Sequence, residues 1–333
     1  MNTNPKHLVD LAGLDAGWLS HLFDHADALR AKRGMRSAPK PLAGKTAALV
    51  FHKPSLRTRV SFTVGMHELG GDAVDLGAAE VSEHGRESLE DVAQVLSGMC
   101  DLIVVRTFAH RTVRQLVAHA SVPVINALTD FSHPCQILAD LYTLRRAGRD
   151  LDAMTVTWVG DGNNVLHSWL EAAMIFGFRL RLAVPDGFEP DAGLFLEAER
   201  RSAGRVQRFR DPVEAVRGTD VVYADTWTSM GQEAESHWRR VVFAGYRVDA
   251  RLMSLAAPDA LFMHCLPAHR GEEVTDEVID GPQSVVLEQA ENRLHLQKAL
   301  MVELVVAGAG RGARVGRAAR GTNGVAAGAP AQA

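Results

Sequence analysis

Ser55-Leu56-Arg57-Thr58-Arg59 packs two arginines and two hydroxyls into five residues. The stretch follows Lys53-Pro54, which closes the apolar run Ala47 to Phe51, and helical spacing begins just after it. A helix start offers unpaired N–H groups and partial positive charge, so this turn can hold phosphate. Ser55 and Thr58 add hydroxyl donors, and Arg57 adds a planar fork that matches phosphate or carboxylate oxygens. Arg106 ends a second apolar run, "DLIVVRTF", and His133 and Gln136 follow a third, "VPVINAL". A second set differs in character. Asn163 and Asn164, then Asp225, Ser229 and Met230, then Cys265 and Leu266 each follow later strand-like runs. A carboxylate among neutral donors suits an amino group. Taken singly, these residues have ordinary readings as well: an arginine on a solvated helix face, Asp225 as a helix cap, Cys265 as a small buried residue.

Elements that could position both sets are readable from periodicity. An apolar stripe from Leu14 to Ala26 predicts a helix over about residues 7–34. Strand and helix then alternate: a strand at 46–51, a helix ending at Gly70-Gly71, the strand "AVDLG", and the helix "SLEDVAQVLSGM" with Ser88 and Asp91 as a cap pair. "DLIVVRTF", "TVRQLVAHA" and "VPVINAL" continue the alternation, and "HPCQILADLYTLRRAG" reads as a long helix. It restarts with "MTVTWVG", "NNVLHSWLEAAMIFG", "RLRLAVP", "FLEAERRSA", "DVVYADTW" and "ALFMHCLPA", and "ENRLHLQKALMVELVV" is a last helix. The fold class expected is α/β: two doubly wound parallel-sheet domains joined by two interdomain helices. In such sheets ligands bind beyond the C-terminal strand ends, where both residue sets stand. The Gly/Ala/Arg-rich segment 308–333 lacks periodicity and is expected to be a disordered tail.

At 333 residues the chain has room for two cores. Apolar residues make up 47% and charged residues 23%, and the net charge is −4, which gives no reason to expect nucleic acid or an acidic membrane as partner. No run of about 18 apolar residues predicts a membrane span, and the first residues do not read as a signal peptide. Three widely spaced cysteines, Cys100, Cys135 and Cys265, suit a reducing cytoplasm. Two motifs are weak leads. "VGDGNNV" begins like a dinucleotide fingerprint, but Val165 stands where its third glycine belongs. His133/Cys135 and His264/Cys265 are soft-ligand pairs without zinc-site spacing, and strand alternation places His264 and Cys265 on opposite faces.

Five motifs in order, "SLRTR" (55–59), "HPCQ" (133–136), "DGNN" (161–164), "DTWTSMGQE" (225–233) and "HCLPAHRGEEV" (264–274), resemble the aspartate/ornithine transcarbamoylases from about Lys6 to Leu304. The Ser229-Met230-Gly231 loop favours the ornithine branch. The resemblance implies transfer of a carbamoyl group from carbamoyl phosphate to L-ornithine, giving citrulline and phosphate, with no cofactor and no metal. It implies a carbamoyl-phosphate domain over 1–148, an amino-acid domain over 149–291, and a helix at about 292–307 packing back on the first. It also implies a cytoplasmic homotrimer, or a multiple of one. Carried onto this chain, Ser55, Leu56, Arg57 and Thr58 surround the phosphate, Leu56 through its backbone N–H. Arg106 bridges phosphate and carbonyl oxygen, which His133 and Thr58 also bind; Gln136 holds the carbamoyl NH2, and Arg293 closes over carbamoyl phosphate. Asn164, Asp225, Ser229 and Met230 bind ornithine. Asp225 and Cys265 face the δ-amine, Cys265 also counts among the carbamoyl-phosphate-binding residues, and the Leu266 carbonyl holds the carbamoyl nitrogen. The implied catalytic set is Arg106, His133, Asp225 and Cys265.

The chain departs from the family pattern in places. Leu56 replaces a more usual hydroxyl residue, Thr63 a frequent Glu, and Ser82, in the loop "EVSEHGRES", stands near a Gln that reaches the neighbouring subunit's site in related chains. The competing readings are a transcarbamoylase for putrescine or an acylated ornithine, a nucleotide-dependent oxidoreductase, and a non-catalytic metabolite-binding homologue.

Overall fold

A computed structural model describes residues 5–77, 81, 87–229, 231 and 233–318. The N-terminal half runs α1 (Ala16–Ala31), β1 (Thr46–Phe51), α2 (Leu56–Glu68), β2 (Asp72–Gly77), α3 (Leu89–Met99), β3 (Leu102–Arg106), α4 (His110–His119), β4 (Val124–Leu128) and α5 (Pro134–Arg146). The second half runs β5 (Thr155–Val159), α6 (Asn164–Phe176), β6 (Arg179–Ala183), α7 (Ala192–Arg201), β7 (Val206–Phe209), α8 (Pro212–Val216), β8 (Val221–Ala224), α9 (Ser236–Phe243), α10 (Ala250–Met253), β9 (Leu261–His264), α11 (Asp276–Ile279) and α12 (Val286–Ala318).

Two separate parallel sheets result, ordered β2-β1-β3-β4 and β7-β6-β5-β8-β9. Both are doubly wound, as their composition requires: β3 and β5 are buried along their whole length, and strands covered on both faces read as continuous apolar runs. In each sheet the strand order reverses once, between β1 and β3 in the first and between β5 and β8 in the second. Crevices open at such reversals, beyond the strands' C-terminal ends.

Local chemistry sets the helix starts. Asp15 accepts the Trp18 N–H, so α1 begins at Ala16 rather than near residue 7. The segment before it instead lies along the sheet edge, where Leu8 bridges Ile125. Ser88 accepts the Asp91 N–H and its hydroxyl donates to Asp91 Oδ2 at 2.7 Å, as the cap pair at α3 predicts. The 80–88 loop of the sequence analysis falls mostly outside the described residues, with Ser82 to Arg86 among those excluded.

The second half holds elements that periodicity did not reveal. Strand β7 is a four-residue edge strand with two exposed residues, and α8, α10 and α11 are one-turn helices. The last helix also differs from expectation at both ends. It starts at Val286, six residues before Asn292, and continues past Gly308 through Ala318. Ala and Arg, good helix formers, alternate with the glycines there.

Helices α5 and α12 join the two halves. Asn292 Nδ2 donates to Thr143 Oγ1 at 2.9 Å between them, and the largest apolar cluster draws residues from both sheets' helices. Helix α2 comes so close to α12 that a Cβ at Gly65 would stand 2.8 Å from Met301 Cε. Glycine there lets the helix that begins the basic turn seat against α12, and this fixes Thr58 beside Arg293.

Candidate active site

A cleft of about 890 Å³ opens between the two sheets' C-terminal ends. From the first sheet come Ser55, Leu56, Arg57 and Thr58 after β1, Arg106 ending β3, and His133 and Gln136 after β4. From the second come Asn164 after β5, Asp225 and Ser229 after β8, and Cys265 and Leu266 after β9. Arg293 of α12 completes the wall. Met230 lies outside the described residues.

The basic turn is the start of α2. Ser55 caps it, accepting the Thr58 N–H at 3.3 Å. The N–H groups of Leu56 and Arg57, in the first turn, have no partner within the helix. The two arginines of the motif part company. Arg57 faces the cleft and donates to the Leu266 carbonyl across it, while Arg59 pairs with Asp75 within β2. Arg106 is aimed by a β-bulge: the β3–β4 register slips between Val105 and Arg106. His133 precedes α5, and Pro134 occupies the first turn, so the imidazole is not spent on capping. The His133 N–H donates to Ser168 Oγ at 3.0 Å.

Three guanidiniums therefore share one wall. Arg293 donates to Gln136 Oε1 at 2.9 Å and to Thr58 Oγ1 at 3.0 Å. It sits eight positions into the helix by sequence number and is buried, so it is already in place rather than poised at a helix start. Burial, then the charges of Arg293 and Arg57, brings Arg106 down to about 10. Burial and the same cationic neighbours push the His133 imidazole well below its ordinary value, so it is neutral at pH 7. Arg106 Nε, His133 Nδ1 and Arg293 Nε are buried without hydrogen-bond partners. A wall of like charges with unpartnered polar atoms is built for an anion.

The facing wall is organised around Asp225. Its Oδ2 accepts from Asn163 Nδ2 at 2.7 Å, and its Oδ1 accepts from Cys265 Sγ at 3.0 Å and from the Thr226 N–H at 2.8 Å. Burial, and then Asp225, drives the Cys265 thiol well above its ordinary value, so Cys265 is a donor and not a thiolate. Asn164 Nδ2 donates to the Thr129 carbonyl at 2.6 Å, tying the two halves together beside the cleft.

One expectation needs correcting. The chain leaves β9 after His264, and Leu266 takes φ +57°, so His264 and Cys265 do not diverge as along a strand. A ligand atom of each lies within 4.8 Å of the other and of Asp225. His264 Nδ1 accepts the Leu266 N–H at 2.9 Å, which holds the turn. Leucine rarely adopts such a φ, and its carbonyl is thereby placed where Arg57 reaches it. The G-x-G of "VGDGNN" also has another cause. A Cβ at Gly162 would fall 2.3 Å from Pro190 N, so glycine admits the 188–190 loop, whose Phe188 carbonyl accepts the Gly162 N–H at 2.8 Å.

Comparison with known proteins gives this geometry a context. The aspartate/ornithine carbamoyltransferase carbamoyl-P binding domain matches residues 6–146, and the Asp/Orn binding domain matches residues 152–304. The chain belongs to the aspartate/ornithine carbamoyltransferase family. Among curated relatives, the ornithine carbamoyltransferase of Chlorobaculum tepidum is 46% identical over 303 residues, 90% of each chain. That of Nitrobacter winogradskyi is 49% identical over 310 residues, covering 92% of this chain and all (100%) of the relative. The solved ornithine carbamoyltransferase from Pyrococcus furiosus superposes with TM-score 0.86 at 45% identity, covering 90% of this chain and 96% of that one.

In this carbamoyltransferase-family chain several cleft residues escaped the sequence reading. Lys53 lies 4.1 Å over the Phe108 ring at the cleft mouth, and its place just after β1 was a usable signal. Asn163, already grouped with Asn164 in the sequence, has a more definite role than that grouping gave it: it caps α6 and holds Asp225. Arg239 is buried, bonded to Asp161 Oδ2 and the Trp227 carbonyl, both at 2.9 Å, and stacks 4.8 Å from Phe188. A buried arginine whose partner is 78 residues away leaves no local pattern.

Proposed function

We propose that the cleft transfers the carbamoyl group of carbamoyl phosphate directly to the δ-amine of L-ornithine, giving L-citrulline and phosphate. The observation that carries this is the opposition of two half-sites in one cleft: the Arg57–Arg106–Arg293 wall beside the α2 N-terminus, and the Asp225–Cys265 pair facing it. The phosphate lies against Ser55, Thr58, Arg57 and the Leu56 N–H. Arg106, Thr58 and His133 donate to the carbonyl oxygen; Gln136 and the Leu266 carbonyl hold the carbamoyl nitrogen. Asn164, Asp225, Ser229 and Met230 hold ornithine.

A primary amine is largely protonated at neutral pH, since its ordinary pKa is near 10.4. Asp225 can receive the ammonium, which must give up one proton to solvent so that the neutral amine can attack the carbonyl. The tetrahedral oxyanion then forms among Arg106, Thr58 and neutral His133, and one such preorganised donor contributes ~2.7–4 kcal/mol. Phosphate leaves and takes the amine's proton. Holding both substrates in line across the cleft supplies much of the remainder.

We assign residues 1–148 to carbamoyl phosphate and 149–291 to ornithine, with α12 packing back on α1, α2 and α5. A cytoplasmic homotrimer fits too. The free cysteines suit a reducing compartment, and the exposed Leu56, Val60, Val95 and Met99 on α2 and α3 offer apolar surface to a second copy. Among the described residues no helix is long and apolar enough to cross a membrane. The test is citrulline formation from carbamoyl phosphate and L-ornithine by the purified protein; its absence overturns the assignment.

A further inference from the structure

Between the two half-sites, and outside the cleft itself, lies a buried polar network centred on Asp140 of α5, which is 0% exposed. Its Oδ1 accepts from Gln136 Nε2 at 2.9 Å and from Gln289 Nε2 at 2.8 Å, and its Oδ2 accepts from Tyr223 Oη at 2.8 Å. One arm runs to the anion wall: Gln136 Oε1 accepts from Arg293, which donates to Thr58 Oγ1. The other runs to the acceptor wall: Gln289 Oε1 accepts the His264 N–H at 3.0 Å, and Cys265 and Leu266 follow directly.

We propose that Asp140 is a positioning residue for carbamoyl transfer, orienting two glutamine amides so that the anion wall and the β9 strand end are set by one group. The inference rests on the proposed function. An amide has a donor end and an acceptor end. With Oδ1 accepting from both Nε2 groups, Gln136 must turn its oxygen to Arg293, and Gln289 must turn its oxygen to His264. Reversing either amide would place a carbonyl against a carboxylate in a buried site, leaving a donor and an acceptor unmatched. Burial brings the Asp140 carboxyl up to about 7. A proton on Oδ2 leaves Oδ1 accepting from both amides, so the orientation holds in either state.

Three variants test this: Asp140→Asn, Asp140→Leu and Gln289→Met, with folding checked by circular dichroism and both KM values measured. Asparagine keeps an acceptor toward the amides, so Asp140→Asn should stay within about fivefold of wild type in kcat/KM. Asp140→Leu removes it and should lose about 10- to 100-fold, the range for a broken buried hydrogen-bond pair, with both KM values raised. Gln289→Met should raise the carbamoyl-phosphate KM although Gln289 belongs to the acceptor arm. A folded Asp140→Leu with unchanged KM values overturns the proposal, as does Asp140→Asn as impaired as Asp140→Leu. If Asp140→Leu does not fold, Gln289→Met decides, and an unchanged carbamoyl-phosphate KM refutes the coupling. Wild-type enzyme run in parallel separates the two claims: no citrulline from wild type sinks the proposed function, whereas active wild type beside unimpaired variants sinks this inference alone.

Discussion

Replacing Arg57 with methionine isolates the anion wall from the fold. The substitution keeps an unbranched apolar stem of similar reach and deletes the charge. On the binding side, a guanidinium holding a phosphate through two charge-assisted hydrogen bonds, each ~1.5–3 kcal/mol, accounts for about 3–6 kcal/mol. That corresponds to a fall of roughly 10²- to 10⁴-fold in kcat/KM. On the stability side the terms nearly cancel. The Leu266 carbonyl loses its donor, a loss of ~1 kcal/mol. A cation leaves the first turn of α2, where the helix dipole disfavours it by ~0.3–1 kcal/mol. The mutual repulsion with Arg106 is also relieved. Arg57→Met should therefore melt within a few degrees of wild type and be nearly inactive in a citrulline assay at saturating ornithine. A variant with kcat/KM within threefold of wild type would refute the assignment of Arg57 to the phosphate. A variant that unfolds would refute the balance of stability terms.

The neighbouring Arg59 gives the control. It pairs with Asp75 on the partly exposed surface, so Arg59→Ala should alter stability by less than about 1 kcal/mol and leave kcat within twofold in the same assay. Cys265→Ser keeps a donor to Asp225 with a shorter reach, and should raise the ornithine KM about 3- to 10-fold while leaving that of carbamoyl phosphate unchanged; equal loss of both would indicate a structural role. Glu171 of α6 is buried, accepts the Leu11 N–H at 3.0 Å and is pushed by burial, with Asp10 adding, up to about 8. A raised folded-state pKa means that its stability contribution is complete below about 4.5 and is lost as pH rises through 8. Glu171→Gln should therefore flatten that decline, gaining on the order of 2–4 kcal/mol over wild type at pH 9 relative to pH 5 in urea unfolding. Parallel pH curves would show that Glu171 does not carry the proton.

What could be read from the sequence followed from one property of parallel sheets. All strands point the same way, so polar residues just after apolar runs collect on one side even when they are far apart in the chain. That made Arg57, Arg106 and His133 legible as one set and Asp225 and Cys265 as another before any fold was seen, and the family resemblance joined the two. The long, periodic helices α2, α5 and α6 were legible for the same reason of pattern. Illegible features depended on close approach or on pairs distant in sequence. Gly162 mimics a nucleotide motif because it admits the loop at Pro190, and Arg239 is defined by Asp161 and Trp227. Alternation failed at His264 and Cys265 because the strand ends there and the turn at Leu266 takes over. The helix boundaries at α1 and α12 were set by a cap at Asp15 and by packing, neither of which apolar periodicity reports.

The central claim is that one wall takes carbamoyl phosphate and the other takes ornithine through both its δ-amine and its amino-acid end. It is tested most directly by measuring kcat/KM at fixed carbamoyl phosphate for L-ornithine, putrescine and an Nα-acylated ornithine, side by side. Ornithine should lead by at least about 100-fold, because a site built to hydrogen-bond a charged group rejects a ligand lacking it by several kcal/mol. Equal or better turnover of putrescine or the acylated amine would contradict the account.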